Sequence, residues 1–326
     1  MKMNRRGFTA CAAAMCALPF STTSRAGAYP ERSIRMIVPY PPGGGTDAFA
    51  RAVAPVMSES LGQQVFIDNR PGGSSIISAT AVAHAPADGY TFLLGDMGTY
   101  STNRTLFKKI SYDSFTDLTP ITLTARFGLL LVVHPSVPAR TLQEFIALAK
   151  ASPDSLSWGS PGVGTPHHLA MEMLMRRAGI KLNHVPYKGD GPAMQDLLGG
   201  QIPVLMSSLA TANQHMKVNK VYAIASTGGS RLQQAPQIPT VAESGISGFD
   251  AWGWQGFAAP AKTPPAIVNA LNRAFAKTAE NADVRQRLAD LGGEMIPSTP
   301  EEMNRHMHRE AEVWAPIIRD AGISLV

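Results

Sequence analysis

The chain has 326 residues, with 29 lysines and arginines, 24 aspartates and glutamates, a formal net charge of +5 and two cysteines. Lys2, Arg5, Arg6, Arg25 and both cysteines, Cys11 and Cys16, fall in the first 28 positions, which hold no acid. The remainder carries 25 basic against 24 acidic residues, a balance that excludes a broad nucleic-acid-binding face, a disulfide framework and a thiol nucleophile.

Residues 1–28 read as an export signal. The basic start MKMNRRGF leads into an apolar run at 8–20 and then Ala26-Gly27-Ala28, the small-x-small pattern a signal peptidase accepts. The run falls short of the roughly 20 residues that span a bilayer. Arg5-Arg6 with Phe8 suits twin-arginine export, a basic start also suits the general secretory route, and both stay open. Cys16 lacks the small and aliphatic residues that precede a lipidated cysteine. The 298 residues that follow are expected to be soluble and exceed the length, about 250, at which chains tend to divide into domains.

Residues 33–38 (SIRMIV) predict a strand, stopped by PPGGG, and residues 47–61 a helix with apolar Phe49, Val53, Val56 and Met57 at helical spacing. Pro55 is expected to kink or shorten that helix. Residues 64–68 predict a second strand, followed by PGGSS and another helix, and residues 90–94 a third. The alternation restarts with strands at 129–133 and 156–158, helices at 142–150, 167–177 and 192–198, and strands near Val185 and at 221–225. Residues 247–260, SGFDAWGWQGFAAP, read as an extended crossing, and the rest as mainly helical. Thr263-Pro264 and Thr299-Pro300 predict helix caps, Thr299 with Glu302 a capping box, and Thr240 with Glu243 another. Strands alternating with helices predict two α/β lobes, each a mainly parallel sheet flanked by helices.

Two loops share one pattern, PPGGGTD at 41–47 and PGVGT at 161–165, each between a strand and a helix. A helix start presents unpaired N–H groups and a partial positive charge, and glycine lets a ligand approach the backbone. Thr165 is expected to cap its helix and leave the amides of His167 and His168 facing outward, with Thr46 acting likewise. Either loop alone is a tight turn; one per lobe makes a clamp for a carboxylate.

Enzyme signatures are weak. Gly43-x-Gly45-x-x-Ala48 with Asp68 formally matches the dinucleotide fingerprint, although Pro41-Pro42 precede it. There is no phosphate-binding G-x-x-x-x-G-K-[ST], G-x-S-x-G or H-E-x-x-H. His167-His168 and His306/His308 are wrongly spaced to share a helix face, so no metal site is expected. Asp47 and Arg51, at i and i+4, fit a helix-surface pair, and Asp47 could instead receive a ligand amine. Tyr187-Lys188-Gly189 reads either as a polar wall or as an exposed loop.

The segments IVPYPPGGGTDAFAR, FIDNRPGGSS, ADGYTFLLG, SPGVGTPHHLA, HVPYKGDGPAMQDLLGGQ, IPTVAESG and WGWQGFAAPAKTP, in that order, resemble the Bug-type receptors of tripartite tricarboxylate transporters over nearly the whole mature chain. The resemblance implies a two-lobed periplasmic-binding-protein fold of type 2. Residues 29–130 and 247–326 form lobe 1, and residues 131–246 lobe 2. It implies a periplasmic, monomeric receptor without catalysis, cofactor, metal or nucleic acid, closing on a small organic acid. That acid is a mono- or dicarboxylate, an amino acid or an aromatic acid, passed to membrane transporter subunits or to a sensor.

Ligand contacts implied in lobe 1 are Tyr40, Gly43, Gly44, Gly45, Thr46, Asp47, Asp96 and Thr99. In lobe 2 they are Gly162, Gly164, Thr165, His168, Tyr187, Lys188, Gly189 and Ser207. Two departures stand out: Asp96-Met97 replaces small polar residues, and Ser207-Ser208 occupies a place where an acid is frequent. A carboxylate at Asp96 repels a second ligand carboxylate, which disfavours a tricarboxylate. The competing expectation is an exported α/β hydrolase or dinucleotide-dependent oxidoreductase.

Overall fold

The computed structural model describes residues 29–151 and 156–325; the expected export signal lies outside them. From the N-terminus the chain forms β1 (Ile34–Val38), α1 (Gly45–Leu61), β2 (Val65–Asn69), α2 (Ile76–Ala83), β3 (Thr91–Asp96), α3 (Asn103–Leu106) and β4 (Leu118–Phe127). At Gly128 it crosses into a second sheet. There it forms β5 (Leu129–Val133), α4 (Leu142–Ala151), β6 (Ser157–Ser160), α5 (Pro166–Ala178), β7 (Asn183–Pro186), α6 (Asp190–Leu198), β8 (Val204–Ser208), α7 (Leu209–Lys217) and β9 (Tyr222–Ser226). It returns through β10 (Gly253–Pro260) and finishes with α8 (Pro265–Glu280), α9 (Ala282–Asp290), β11 (Gly293–Met295) and α10 (Pro300–Asp320).

The first lobe holds six strands in the order β11-β4-β10-β3-β1-β2, the second five in the order β7-β6-β8-β5-β9. Both sheets are mixed, which corrects the mainly parallel expectation. Only the βαβ units, β1 with β2 and β3, and β6 with β7 and β8, pair in parallel. The strands that carry the chain between lobes, β4 and β10 on one side and β5 and β9 on the other, pair antiparallel because β5 and β10 enter their sheets at the hinge end, whereas β4 and β9 leave theirs there. The crossing at Gly128 lies two residues before the boundary read from sequence, since Leu129 and Leu130 already pair within the second sheet.

Side-chain pattern explains these strands. All residues of β5 (LLLVV) and β10 (GWQGFAAP) are buried, as expected of strands covered on both faces. One apolar cluster runs through both lobes, joining Leu93 and Tyr100 to Leu131, Trp158 and Leu169 and to Trp314 of α10. Separate clusters fill the outer layer of each lobe. The last helix therefore packs against both halves, and the Arg176–Asp320 pair at 2.7 Å links it to α5. That pair is exposed and adds little stability; the buried Trp314, Ile317 and Ile318 hold the helix in place.

Some local expectations fail for visible reasons. α1 runs unbroken through Pro55, which is exposed along with Arg51, so the carbonyl that proline leaves unpaired faces water. Thr263 does not cap α8: its hydroxyl donates to the Pro260 carbonyl at 2.7 Å and Pro264 takes the cap position. β4, a strand not expected from the sequence, accommodates Pro120 because β11 flanks only Ala125–Phe127, so Pro120 lies where no partner needs its N–H. The Thr299/Glu302 capping box forms as expected, and Thr240 and Glu243 exchange reciprocal bonds of 2.9 and 3.0 Å.

Candidate functional site

A cavity of about 170 Å³ lies between the lobes. Its first-lobe wall comes from Tyr40 after β1, Ser74 and Ser75 before α2, Asp96 and Gly98 after β3, and Asn103 of α3. Its second-lobe wall is the loop Val163, Gly164, Thr165 and Pro166 that opens α5. Leu106 and Leu325 close one side. The site thus gathers loops from the carboxyl ends of β1, β2, β3 and β6, where mixed α/β sheets bind ligands.

The second-lobe loop is built by its own residues. Thr165 caps α5, accepting from the His168 amide at 3.3 Å, while its hydroxyl donates to the Gly162 carbonyl at 2.8 Å. The Gly164 amide donates to His168 Nδ1 at 2.9 Å. These bonds correct two expectations. The His168 amide does not face outward, and the His168 ring, 3% exposed, points into the lobe, stacked on His184 at 4.1 Å with Glu172 3.4 Å from Nε2. His168 holds the loop through the Gly164 amide and is not among the residues lining the cavity. The amide of His167, second residue of α5, keeps no helical partner by position. Both His167 ring nitrogens are buried without a hydrogen-bond partner, and burial lowers the pKa of that ring.

The first glycine loop also folds around its own side chain. Asp47, 2% exposed, accepts from the Gly43 amide (2.9 Å), Arg51 Nε (2.8 Å) and Asn69 Nδ2 (2.9 Å). The Arg51 guanidinium is the main reason its pKa falls to about 2. Asn69 also donates to the Tyr40 carbonyl at 3.0 Å, tying the loop to the cavity wall. Asp47 is thus committed internally, and none of Gly43, Gly44, Gly45, Thr46 and Asp47 is among the residues lining the cavity. Thr46 does not cap α1. Gly44 holds the cap position, and the Thr46 hydroxyl accepts from Gln255 Nε2 at 2.7 Å.

Asp96 reaches the wall. Its Oδ2 accepts a short bond from the Tyr40 hydroxyl, and Oδ1 accepts from the Thr99 amide at 2.9 Å and the Thr99 hydroxyl at 2.8 Å. Burial, then the neighbouring Asp96 charge, pushes the Tyr40 phenol well above its ordinary pKa, so it remains a donor. Thr99 is buried and serves Asp96, not the cavity.

The remaining expected contacts turn elsewhere. The Tyr187 hydroxyl donates to Asp196 Oδ2 at 2.8 Å, and burial raises its pKa to about 12. Lys188 is exposed. Gly162 and Gly189 support the loop from behind, the Gly189 amide donating to the Pro161 carbonyl at 2.9 Å. Ser207 is fully buried and donates to Asp190 Oδ1 at 3.0 Å, while Ser208 holds Asp190 Oδ2 through its amide and hydroxyl. The acid missing at 207–208 is therefore supplied from the start of α6.

Sequence reasoning passed over Ser74, Ser75 and Asn103. Ser74 (φ 50°) and Ser75 (φ 73°) hold the left-handed conformation that non-glycine residues avoid, at the cavity wall, and Asn103 Nδ2 donates to the Ser74 carbonyl at 2.8 Å. The repeated pattern of strand, glycine loop and helix at PGGSS was the available signal for the two serines; nothing local marked Asn103.

Residues 49–323 match the model of the "Tripartite tricarboxylate transporter family receptor". A relative in Pseudomonas sp. strain P51, a UPF0065 protein in the tcbD-tcbE intergenic region, is 37% identical over 93% of this chain and 91% of its own. The solved structure of Rpa4515 from R. palustris with adipate is 34% identical, with a TM-score of 0.79 over 91% of this chain and all of that one. The structure of the periplasmic binding protein BugD is 33% identical, with a TM-score of 0.76 over 91% and 99%.

Proposed function

The chain belongs to the tripartite tricarboxylate transporter receptor family, and from that membership we propose that it captures one small carboxylate-bearing organic acid between its lobes in the periplasm. It works as a monomer, without catalysis, and hands its ligand to membrane transporter subunits. The observation that carries this reading is the cavity itself, walled on one side by Tyr40, Ser74, Ser75 and Asp96 and on the other by the capped start of α5. A thirteen-residue helix that begins at Pro166 directs its partial positive charge at the space where a carboxylate would lie. The adipate bound by the relative from R. palustris supports a carboxylate ligand. The basic, apolar and small-residue segments of 1–28 support export, and among the described residues no helix is long and apolar enough to cross a membrane.

The dinucleotide alternative is disfavoured by charge. The Gly43–Asp47 loop wraps the Asp47 carboxylate, which repels a pyrophosphate, and Asp68 is paired with Arg70 at 2.9 Å. The test is thermal unfolding of the purified protein against two- to eight-carbon carboxylic acids and nucleotides. An acid at a hundred times its Kd is expected to add about 2.7 kcal/mol, a rise of roughly 5 °C or more. Stabilisation by a dinucleotide alone, with none by any acid, overturns the reading.

A further inference from the structure

The cleft wall carries one fixed charge, and it is negative. Of the residues lining the cavity, Asp96 alone is an acidic or basic side chain; no lysine or arginine is among them. Every bond the Asp96 side chain makes is accepted, and Oδ2 takes only the Tyr40 hydroxyl, leaving an acceptor position open. Of the side-chain donors around it, Asn103 bonds the Ser74 carbonyl and Thr165 the Gly162 carbonyl, while the Ser74 and Ser75 hydroxyls in the wall are neutral groups that can donate or accept. Gln255 lies directly opposite Asp96 across the β3–β10 pair, hence on the same sheet face, and its Oε1 is buried without a donor. The only charged group at this end of the site is thus an acceptor, best met by a cationic donor on the ligand. The opposite wall is the start of α5, which favours negative charge.

We propose that Asp96, held by Tyr40 and Thr99, is the specificity residue that makes this cleft select a zwitterionic amino acid over a dicarboxylic acid of the same length. The ammonium lies on Asp96 Oδ2 and the carboxylate on the α5 side. The inference rests on the carboxylate-receptor reading above and narrows it. A cavity of about 170 Å³ holds roughly six water-sized groups, which suits a small amino acid. A ligand carboxylate within hydrogen-bonding range of Asp96 is disfavoured on the order of a hundredfold, while an ammonium there forms a charge-assisted bond.

The test is calorimetric titration of the purified, ligand-stripped protein with the common α-amino acids and with length-matched pairs, succinate against 4-aminobutyrate and glutarate against 5-aminovalerate. An amino acid is expected to bind at least about tenfold tighter than every dicarboxylate. Asp96→Asn is expected to lower amino-acid affinity at least about tenfold and to leave dicarboxylate affinity unchanged or raised. Asp96→Ser serves as the second variant, with thermal unfolding to show that each is folded. A dicarboxylate that binds wild type as tightly as any amino acid, or an affinity ratio unmoved by both substitutions, overturns the inference and leaves the receptor reading standing. Failure of every carboxylate and amino acid to bind overturns both.

Discussion

Gly164→Ala separates the cost of a strained loop from the cost of a blocked contact between lobes. Gly164 has φ 76°, which an alanine adopts at a cost of about 1 kcal/mol. That cost acts wherever the loop is folded and is expected to lower Tm by about 2–4 °C. The added Cβ would also stand 3.0 and 3.3 Å from the two Leu106 methyls and 3.4 Å from Leu325 Cδ1. Leucine tips yield, so this crowding costs on the order of 1 kcal/mol. It arises only where the second-lobe loop meets Leu106 and the chain end, whose Leu325 amide donates to the Leu106 carbonyl at 2.7 Å. It should therefore appear in binding, as roughly fivefold weaker affinity. Calorimetric Kd and unligated Tm are measured for Gly164→Ala, Leu325→Ala and the double variant. The expected coupling is that Leu325→Ala restores part of the lost affinity without restoring Tm. A Kd unchanged by Gly164→Ala, or a loss that Leu325→Ala leaves untouched, refutes the idea that this contact belongs to ligand capture.

Ser74→Gly should raise Tm by about 1–3 °C, because glycine accepts the left-handed backbone, while weakening ligand affinity as a cavity hydroxyl is lost; a lower Tm contradicts the strain argument. Thr165→Ala removes the cap of α5 and should cost about 1 kcal/mol in urea unfolding, with Thr165→Ser recovering most of it. Asp47→Asn should cost about 1 kcal/mol at neutral pH, less than its shift alone suggests because Arg51 is solvent-exposed. The folded pKa, about 2, lies below the ordinary aspartate value, so the wild-type advantage holds above about 3.9 and vanishes as pH falls through 2. His184 and His306 act in the same direction at higher pH: burial first, and then neighbouring His168 or Arg309, lowers both to about 4. The unfolded chain takes those protons first, so stability should be greatest above about pH 6.5 and fall toward pH 4, by up to about 1.4 kcal/mol per pH unit for His306 and by less for the partly solvated His184. Denaturant titrations across pH 4–7 of wild type and His184→Gln check this, and an unchanged slope in the variant removes His184 from the account.

What the linear order of residues determined is what short-range physics controls. A hydroxyl three residues before a helix-start amide can cap it through local geometry alone, so Thr165 and the Thr299/Glu302 box were readable, whereas Thr46 and Thr263 took other partners. Apolar runs ended by glycine loops marked β1, β6 and the starts of α1 and α5 in the same way, and alternation of strand and helix foretold two α/β lobes.

Roles that depend on distant partners were decided only by the tertiary structure. Asp47 looked available for a ligand until Asn69, 22 residues away, supplied its third bond. Ser207 looked like a wall residue until Asp190 came within 3.0 Å. The wall itself needed Leu106 beside Gly164, Ser74 forced into a left-handed turn, and a chain end returning to meet the first lobe. A polar or flexible group announces its chemistry in the sequence, but which partner satisfies it is set by burial, and burial exists only once both sheets and α10 have packed.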